Sequence, residues 1–163
     1  MTKTVSWILA ASLAACSSAE LAQSAAVAGD RVGTYDGRAV VIAYANGPRF
    51  AEQMRKLRDA HNVAEDAGDK ARMAALEAQA EEQQRRFHRQ AFDGDDIEDV
   101  LAVVSEHLAA IRDAAGVARL EKVNLQRPDG VVTVDVTERL VALFEPNEKG
   151  RRWAADIQTR PFR

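Results

Sequence analysis

Three features of this 163-residue sequence have side chains of the right type for chemistry. They are the single cysteine, Cys16, the three histidines, His61, His88 and His107, and the acidic stretch 93–99, which reads D-G-D-D-I-E-D. A thiol can accept a covalent group, imidazoles can bind zinc, and clustered carboxylates can bind calcium. Each role needs further residues at a defined spacing, which the sequence itself can support or exclude.

The acidic stretch 93–99 does not have the spacing of a calcium-binding loop. A loop of the EF-hand kind needs alternating oxygen ligands, a central glycine and a glutamate at its twelfth position. Here Gly94 holds the second place and the apolar Ile97 holds the fifth. We therefore predict a turn whose carboxylates lie at the start of a helix, where the positive end of the helix dipole favours them.

The histidines are too far apart in the sequence to form a metal site by themselves. His61 and His88 could approach each other across a helical hairpin, but zinc would still need further ligands. We predict instead that His61 packs or hydrogen-bonds between helices. The sequence has no Ser/His/Asp spacing, phosphate-binding glycine loop or nucleophile elbow. It therefore predicts no catalytic residue, no metal, no cofactor and no enzymatic activity.

Cys16 is the residue that points to a cellular location. Lys3 precedes an uncharged, mostly apolar run over 5–15, which is too short to span a bilayer and is typical of a secretory signal peptide. The sequence L-A-A-C that ends at Cys16 resembles the lipobox of bacterial lipoproteins. That resemblance implies a lipoprotein signal peptide at 1–15 and a diacylglycerol on the sulfur of Cys16. Ser17 after the cysteine resembles the type sorted to the outer membrane.

Two other interpretations of this segment remain open. Small residues at Ser17 and Ala19, or at Ser24 and Ala26, could direct an ordinary signal peptidase and release a soluble periplasmic or secreted protein. The segment could also be the helical tip of a cytosolic protein. In both export pathways the small, polar residues 16–30 or so are expected to form a flexible tether.

The charge balance argues against a nucleic-acid partner. Removal of residues 1–15 would leave 21 basic and 25 acidic residues, whereas phosphate contacts need clustered Lys and Arg. A single cysteine also allows no internal disulfide. Residues 31–163 are enough for one domain.

The first half of this domain has the pattern of a strand followed by helices. Residues 31–35 fit a strand, and Asp36 can cap a helix over 37–44, although the β-branched run 40–42 also fits a strand. Two further helices follow, and the first of them begins at Pro48. Mostly apolar residues with polar interruptions recur in them at three- and four-residue spacing, which predicts the narrow seam of a coiled coil: Phe50, Met54, Leu57, His61, Ala64, Met73, Leu76, Ala80, Gln83, Phe87 and Gln90.

The connection between these two helices, at Gly68 and Asp69, allows only an antiparallel hairpin, an arm over about 48–91. Its apolar seam is thin, so the arm needs an anchored base or association of copies. The basic stretch R-R-F-H-R (85–89) is interpreted as the arm base, with Phe87 packed and the arginines solvated, or as a partner-binding site.

The sequence of the second half of the domain predicts a single core helix over 97–115. Strands over 117–123 and 131–136, with a turn at 126–130 between them, are expected to follow. Short helices are expected to begin at Thr137 and after Pro146. The last residues are expected to form a loose tail. The stretch E-K-G-R-R-W (148–153) fits a solvated helix, or a helix that touches lipid headgroups. The predicted fold is α+β, a small sheet with a projecting hairpin.

Several of these pieces together resemble the Skp/OmpH-like family of periplasmic chaperones. They are the strand R-V-G-T-Y-D with its short helix, the hairpin arm, A-A-G-V-A-R-L-E-K-V, and V-D-V-T-E-R-L-V, in which Asp135 and Thr137 mark a helix start. The resemblance covers roughly residues 31–144. It implies a homotrimer whose arms hold unfolded outer-membrane proteins.

We therefore expect a non-enzymatic envelope lipoprotein that binds unfolded or partner envelope proteins through its arms. The alternative is a structural tether or adaptor with one defined partner and no chaperone activity.

Overall fold

The sheet is built around the first strand of the described chain. A computed structural model describes residues 31–123 and 131–162. In it β1 (Arg31–Tyr35) pairs in parallel with β2 (Arg119–Lys122) on one side and with β3 (Val132–Asp135) on the other. The predicted α+β class is confirmed, and the structure is 69% helical. All three strands run parallel, a direction that the sequence pattern leaves open.

The helices account for most of the remaining described chain. Their limits are α1 Gly37–Ala45, α2 Pro48–Asp66, α3 Lys70–His88, α4 Glu98–Ala102, α5 Ser105–Ala115, α6 Thr137–Leu143 and α7 Glu148–Gln158, with a π-helical turn at Arg89–Asp93 between α3 and α4. Residues 40–42 lie within α1, so the strand alternative for that run is wrong. The predicted signal peptide at 1–15, the predicted tether at 16–30, Cys16 and the predicted turn at 126–130 lie outside the described residues.

Local capping groups explain where several helices begin. The Asp36 carboxylate accepts a hydrogen bond of 2.9 Å from the backbone N–H of Arg38, and Asp69 caps α3 in the same way through the N–H of Arg72 at 3.0 Å. These side chains satisfy backbone donors that the first helical turn leaves without partners. The cap predicted at Asp36 is confirmed.

The single helix predicted over 97–115 is wrong, because the chain bends between α4 and α5. Val104 has φ −122° and ψ 18°, outside the helical region, and it is almost completely buried. Two adjacent β-branched residues, Val103 and Val104, weaken the helix at this point. The bend allows Val104 to enter the core while α5 turns Ile111 inward as well.

The arm helices α2 and α3 pack along their predicted seam. The ring of Phe50 lies 5.1 Å from that of Phe87, and His61 Nε2 lies 3.2 Å from a carboxylate oxygen of Glu77. The start of α2 therefore lies beside the end of α3. Every predicted seam residue is at least half-buried, but between Phe50 and Phe87 only Ala64 is fully buried. The arm thus leaves much of its seam accessible.

Four aromatic rings join the arm to the body of the protein. Tyr44 of α1 lies 5.7 Å, centroid to centroid, from each of Phe50, Phe87 and Phe144. Most of these ring pairs are edge-to-face, an arrangement that adds to the stabilisation from burial. The cluster connects α1, α2, α3 and the end of α6, and so determines how the arm leaves the body.

Helix α7 packs closely on α1. Its inward face carries the small residues Gly150 and Ala154, and the backbone N–H of Asn147 donates a 3.1 Å hydrogen bond to the carbonyl of Asn46. A Cβ added to Gly150 would overlap Asn46 Cβ and would lie 3.0 Å from its Cγ. The two helices can therefore approach this closely only because residue 150 has no side chain.

The C-terminal tail is held in place, and the expectation of a loose tail is wrong. The Arg38 guanidinium donates to both carboxylate oxygens of Asp36 and to the carbonyls of Arg160 and Pro161, at 2.7–3.3 Å. The same group lies 3.8 Å from the ring centroid of Phe162. One arginine therefore connects the start of α1 with the end of the described chain.

Candidate functional site

A long open groove runs along the outer side of α1. It consists of two adjoining cavities of about 850 and 880 Å³. The first reaches Ala45 and Asn46 at the end of α1, and the second reaches Gly37 and Arg38 at its start. The cavities share lining residues, which makes them one continuous groove: His88, Ala91, Phe92, Ile157 and Arg160.

The groove has an apolar floor and two helical walls. Val41, Ile42 and Ala45 of α1 form the floor together with Phe87 and Ala91. One wall is the end of α3 with the π-helical turn, and the other is α7. A groove between two helices with an apolar floor can accept one face of an amphipathic helix.

Two aromatic side chains stand on opposite walls of this groove. Phe92 of the π-helical turn and Trp153 of α7 are each 50% exposed, among the few large apolar side chains so accessible in the described chain. The Phe92 ring lies 5.0 Å from the ring of His88, which supports it from the α3 side. Exposed aromatic rings beside an apolar cavity are typical anchors for a binding partner.

The π-helical turn places Phe92 at the edge of the groove. Gln90 in this turn is buried, and its amide Nε2 donates to the Asp96 carbonyl at 2.9 Å and to a carboxylate oxygen of Asp99 at 2.6 Å. Gly94 then takes the left-handed conformation, with φ 83°, which glycine adopts without strain. The wider turn interrupts α-helical geometry, and such turns are frequent at functional sites.

Ion pairs make the upper parts of both walls polar. Arg85 lies 3.4 Å from Glu81 on the α3 wall, and Arg160 pairs with Asp156 on the α7 wall. Hydrogen bonds from Arg85 and Arg89 lower the pKa of Glu82. The walls thus present charge and the floor presents apolar surface.

The tyrosine pKa values rise for a different reason. Burial, with smaller effects of the Asp96 and Glu98 carboxylates, raises the pKa of Tyr35 to about 12. Burial, followed by Asp99, also raises the pKa of Tyr44. Both tyrosine pKa values therefore lie further from neutral pH than usual, whereas the pKa of a group used in acid–base catalysis is shifted toward it.

The structure does not bring the three histidines together. His61 lies against Glu77 along the arm, His88 lies in the groove wall, and His107 is exposed on α5 beside Glu106. Within residues 31–123 and 131–162, no three His, Cys, Asp or Glu side chains are placed to hold a metal ion.

The acidic stretch 93–99 forms the predicted turn. Asp96 Oδ1 accepts a 2.9 Å hydrogen bond from the backbone N–H of Glu98, the first residue of α4. Asp95 pairs with Arg89 at 3.1 Å, and Asp99 pairs with Arg86 at 3.0 Å. The carboxylates therefore cap a helix and anchor the arm base.

The arm base also agrees with its predicted interpretation. Phe87 is packed within the aromatic cluster, while Arg85, Arg86 and Arg89 take part in ion pairs near the surface. The groove itself was not predicted. Phe92 and Trp153 are isolated aromatic residues that lie 61 positions apart in the sequence, so no local pattern marked them as one surface.

A comparison with protein-family models, with curated proteins and with solved structures found no match to this chain. Of the helices in the described ranges, none has the length and apolar character required to cross a membrane.

Proposed function

We propose that this protein is a lipid-anchored envelope protein that binds apolar segments of other envelope proteins and carries out no chemical reaction. The observation that carries the proposal is the groove along α1, with half-exposed Phe92 and Trp153 on its two walls. A bound segment would bury both rings against the apolar floor. The lipobox-like sequence at Cys16 supports the anchor and the periplasmic face of the outer membrane as the location.

The Skp/OmpH-like hairpin and a homotrimeric state belong to the same proposal. The contacts of Phe50 with Phe87 and of His61 with Glu77 support a hairpin, and the incompletely buried seam supports association of copies. Each arm helix has 19 residues and is about 28 Å long at 1.5 Å per residue. Because arms of this length would enclose little space, we place the main contact in the groove at their base.

The experiment compares a groove variant with the wild type in an aggregation assay. The protein is residues 17–163, and the probe is a urea-unfolded outer-membrane β-barrel protein diluted into buffer. Wild type should suppress its aggregation. The double variant Phe92→Ser/Trp153→Ser should need at least about tenfold more protein for the same effect, because removing two interface anchors commonly costs that much affinity or more.

The matched control for that variant is Val63→Ser, which removes another exposed apolar side chain but on the arm, away from the groove. It should behave within about twofold of wild type. Protection by the double variant at wild-type concentrations would contradict the groove as the binding site, and absence of protection by the wild type would contradict the holding activity.

The second candidate is an adaptor that binds one defined envelope partner. The observation that favours it is the limited length of the groove, whose floor is the nine-residue helix α1. A photo-cross-linking residue at Phe92 would then join one envelope protein in intact cells, and Trp153→Ser would abolish that product. An adaptor should give this result without protection in the aggregation assay.

The lipid anchor has its own test. Cys16→Ser should leave the protein unprocessed or soluble, because the diacylglycerol requires a thiol at that position. Labelling of cells with a fatty-acid analogue should mark the wild type and not the variant. The double variant Cys16→Ser/Ser17→Cys keeps one thiol but moves it by one residue, so it is the matched control and should also remain unlabelled. Unchanged membrane partitioning of Cys16→Ser would count against the anchor.

A further inference from the structure

The first turns of α7 form a basic surface that the rest of the described structure does not neutralise. Lys149, Arg151 and Arg152 are exposed, and no carboxylate of the described residues lies within 4 Å of their charged groups. This differs from Arg85 and Arg89 on the opposite groove wall, which have carboxylate partners.

These three cations do not stabilise the helix that carries them. They lie within the first five residues of α7, where the positive end of the helix dipole disfavours positive charge. Asn147 already caps this end, since its Oδ1 accepts a 2.8 Å hydrogen bond from the backbone N–H of Gly150. Residues that oppose the stability of the helix that carries them are expected at functional surfaces.

Trp153 adds an amphipathic ring to the same surface. The Lys149 ammonium lies 4.3 Å from the ring centroid of Trp153, whose side chain is half-exposed. A tryptophan beside lysine and arginine is typical of helices that lie at a membrane surface, where the ring reaches the headgroup level.

Positive and negative charge are distributed unevenly along the chain, and this would orient the protein at a charged surface. Residues 148–163 contain five basic and two acidic residues, a net charge of +3, whereas residues 1–147 have a net charge of −6. An anionic surface would attract the end of the chain and repel the remainder. Acidic residues outnumber basic ones over residues 1–147 and basic residues outnumber acidic ones over 148–163, so this segment is where such a surface would bind.

We propose that the surface formed by Lys149, Arg151, Arg152 and Trp153 binds the headgroups of anionic phospholipids. None of the three cations lines the groove, so they are available while the groove is occupied. An acidic protein segment is disfavoured because Trp153 alone offers less apolar contact beside the cations than a protein interface buries. The inference does not depend on lipidation of Cys16, and of the four residues only Trp153 also borders the groove.

The experiment uses residues 17–163, which contain every described element and in which Trp153 is the only tryptophan. Vesicles with about 30% phosphatidylglycerol in phosphatidylcholine should bind the protein at about 50 mM NaCl and shift Trp153 fluorescence to shorter wavelength. Pure phosphatidylcholine vesicles should not. Binding should weaken strongly at about 500 mM NaCl, because salt screens surface charges.

Removing the cations should reduce the partition coefficient. Each lysine or arginine near an anionic surface contributes roughly fivefold, so Lys149→Gln/Arg151→Gln/Arg152→Gln should lower binding by about a hundredfold. The control Arg55→Gln/Lys56→Gln/Arg58→Gln makes the same charge change on α2 and should lower it by less than about threefold. Circular dichroism should show that both variants are folded.

Three results would overturn the proposal. They are absence of binding by the wild type at low salt, equal losses in both triple variants, and binding without a change in Trp153 emission. A soluble polyglutamate that binds the wild type as tightly as the vesicles, and loses affinity in the α7 variant, would assign the surface to an acidic protein segment instead.

Discussion

Replacement of Gly150 by alanine is expected to lower the free energy of unfolding by about 2–3 kcal/mol, in the range seen when a methyl group is forced into a packed core. The new Cβ would overlap Asn46 Cβ, an atom attached directly to the backbone, so one of the two helices must move. At a helical position with free space around it, the same substitution usually raises the free energy of unfolding by about 0.5–1 kcal/mol. The sign of the effect is therefore diagnostic, and urea unfolding followed by circular dichroism measures it.

Gly37→Ala is the matched control for this substitution. A Cβ at Gly37 would lie 2.8 Å from Cδ of Lys122, which belongs to a long side chain that can change rotamer. Its stability should stay within about 0.5 kcal/mol of wild type, the usual range for substitutions that the surroundings can accommodate. A stabilised Gly150→Ala variant would show that α7 does not approach α1 as closely as the structure places it.

Loss of the Phe87 ring should have an effect of similar or larger size. Phe87 contacts Tyr44 of α1 and Phe50 of α2, so Phe87→Ala removes both its buried area and two aromatic pairs. We expect a loss of about 3 kcal/mol, the lower end for phenylalanine-to-alanine substitutions because Phe87 is only half-buried. The substitution should also increase the rate of amide hydrogen exchange more in α2 and α3 than in α1, because the arm loses its attachment.

Val63→Ala is the comparison for this variant, because it shortens an exposed side chain of α2 without touching the aromatic cluster. It should change stability by less than about 0.5 kcal/mol. If Phe87→Ala unfolded at the same urea concentration as Val63→Ala, the aromatic cluster would not be what attaches the arm.

The elements that could be predicted from sequence are those determined by neighbouring residues. Asp36 and Asp69 cap helices through hydrogen bonds that span two and three residues. Gly68 and Gly116 take left-handed conformations just after α2 and α5 end, a role for which glycine is the usual residue. Seam burial followed from regular spacing along two helices. Each of these signals is contained within a few turns of chain, where a pattern is easy to recognise.

The features that were missed depend on residues distant in the sequence. The bend at Val104 needs a core that accepts this side chain in addition to the weak helix preference of Val103 and Val104, and the spacing from Ile97 to Ile111 is compatible with one straight helix. The parallel directions of the strands depend on long crossovers that leave no local signal. The groove combines α1, the end of α3 and α7, and the apolar sequence of α1 does not by itself show which of its sides stays uncovered.

The position of β1 at the centre of the sheet governs when the protein can fold. Val32 pairs with Arg119, Thr34 pairs with Asp135, and the Asp36 backbone N–H donates to the hydroxyl of Thr137, 101 residues away. The arm arises from one continuous segment and can form early during synthesis, whereas the sheet must wait for the last third of the chain. High contact order of this kind makes completion of the body slow. The body therefore stays open until the last third of the chain has been synthesised, and folding during synthesis is confined to the arm.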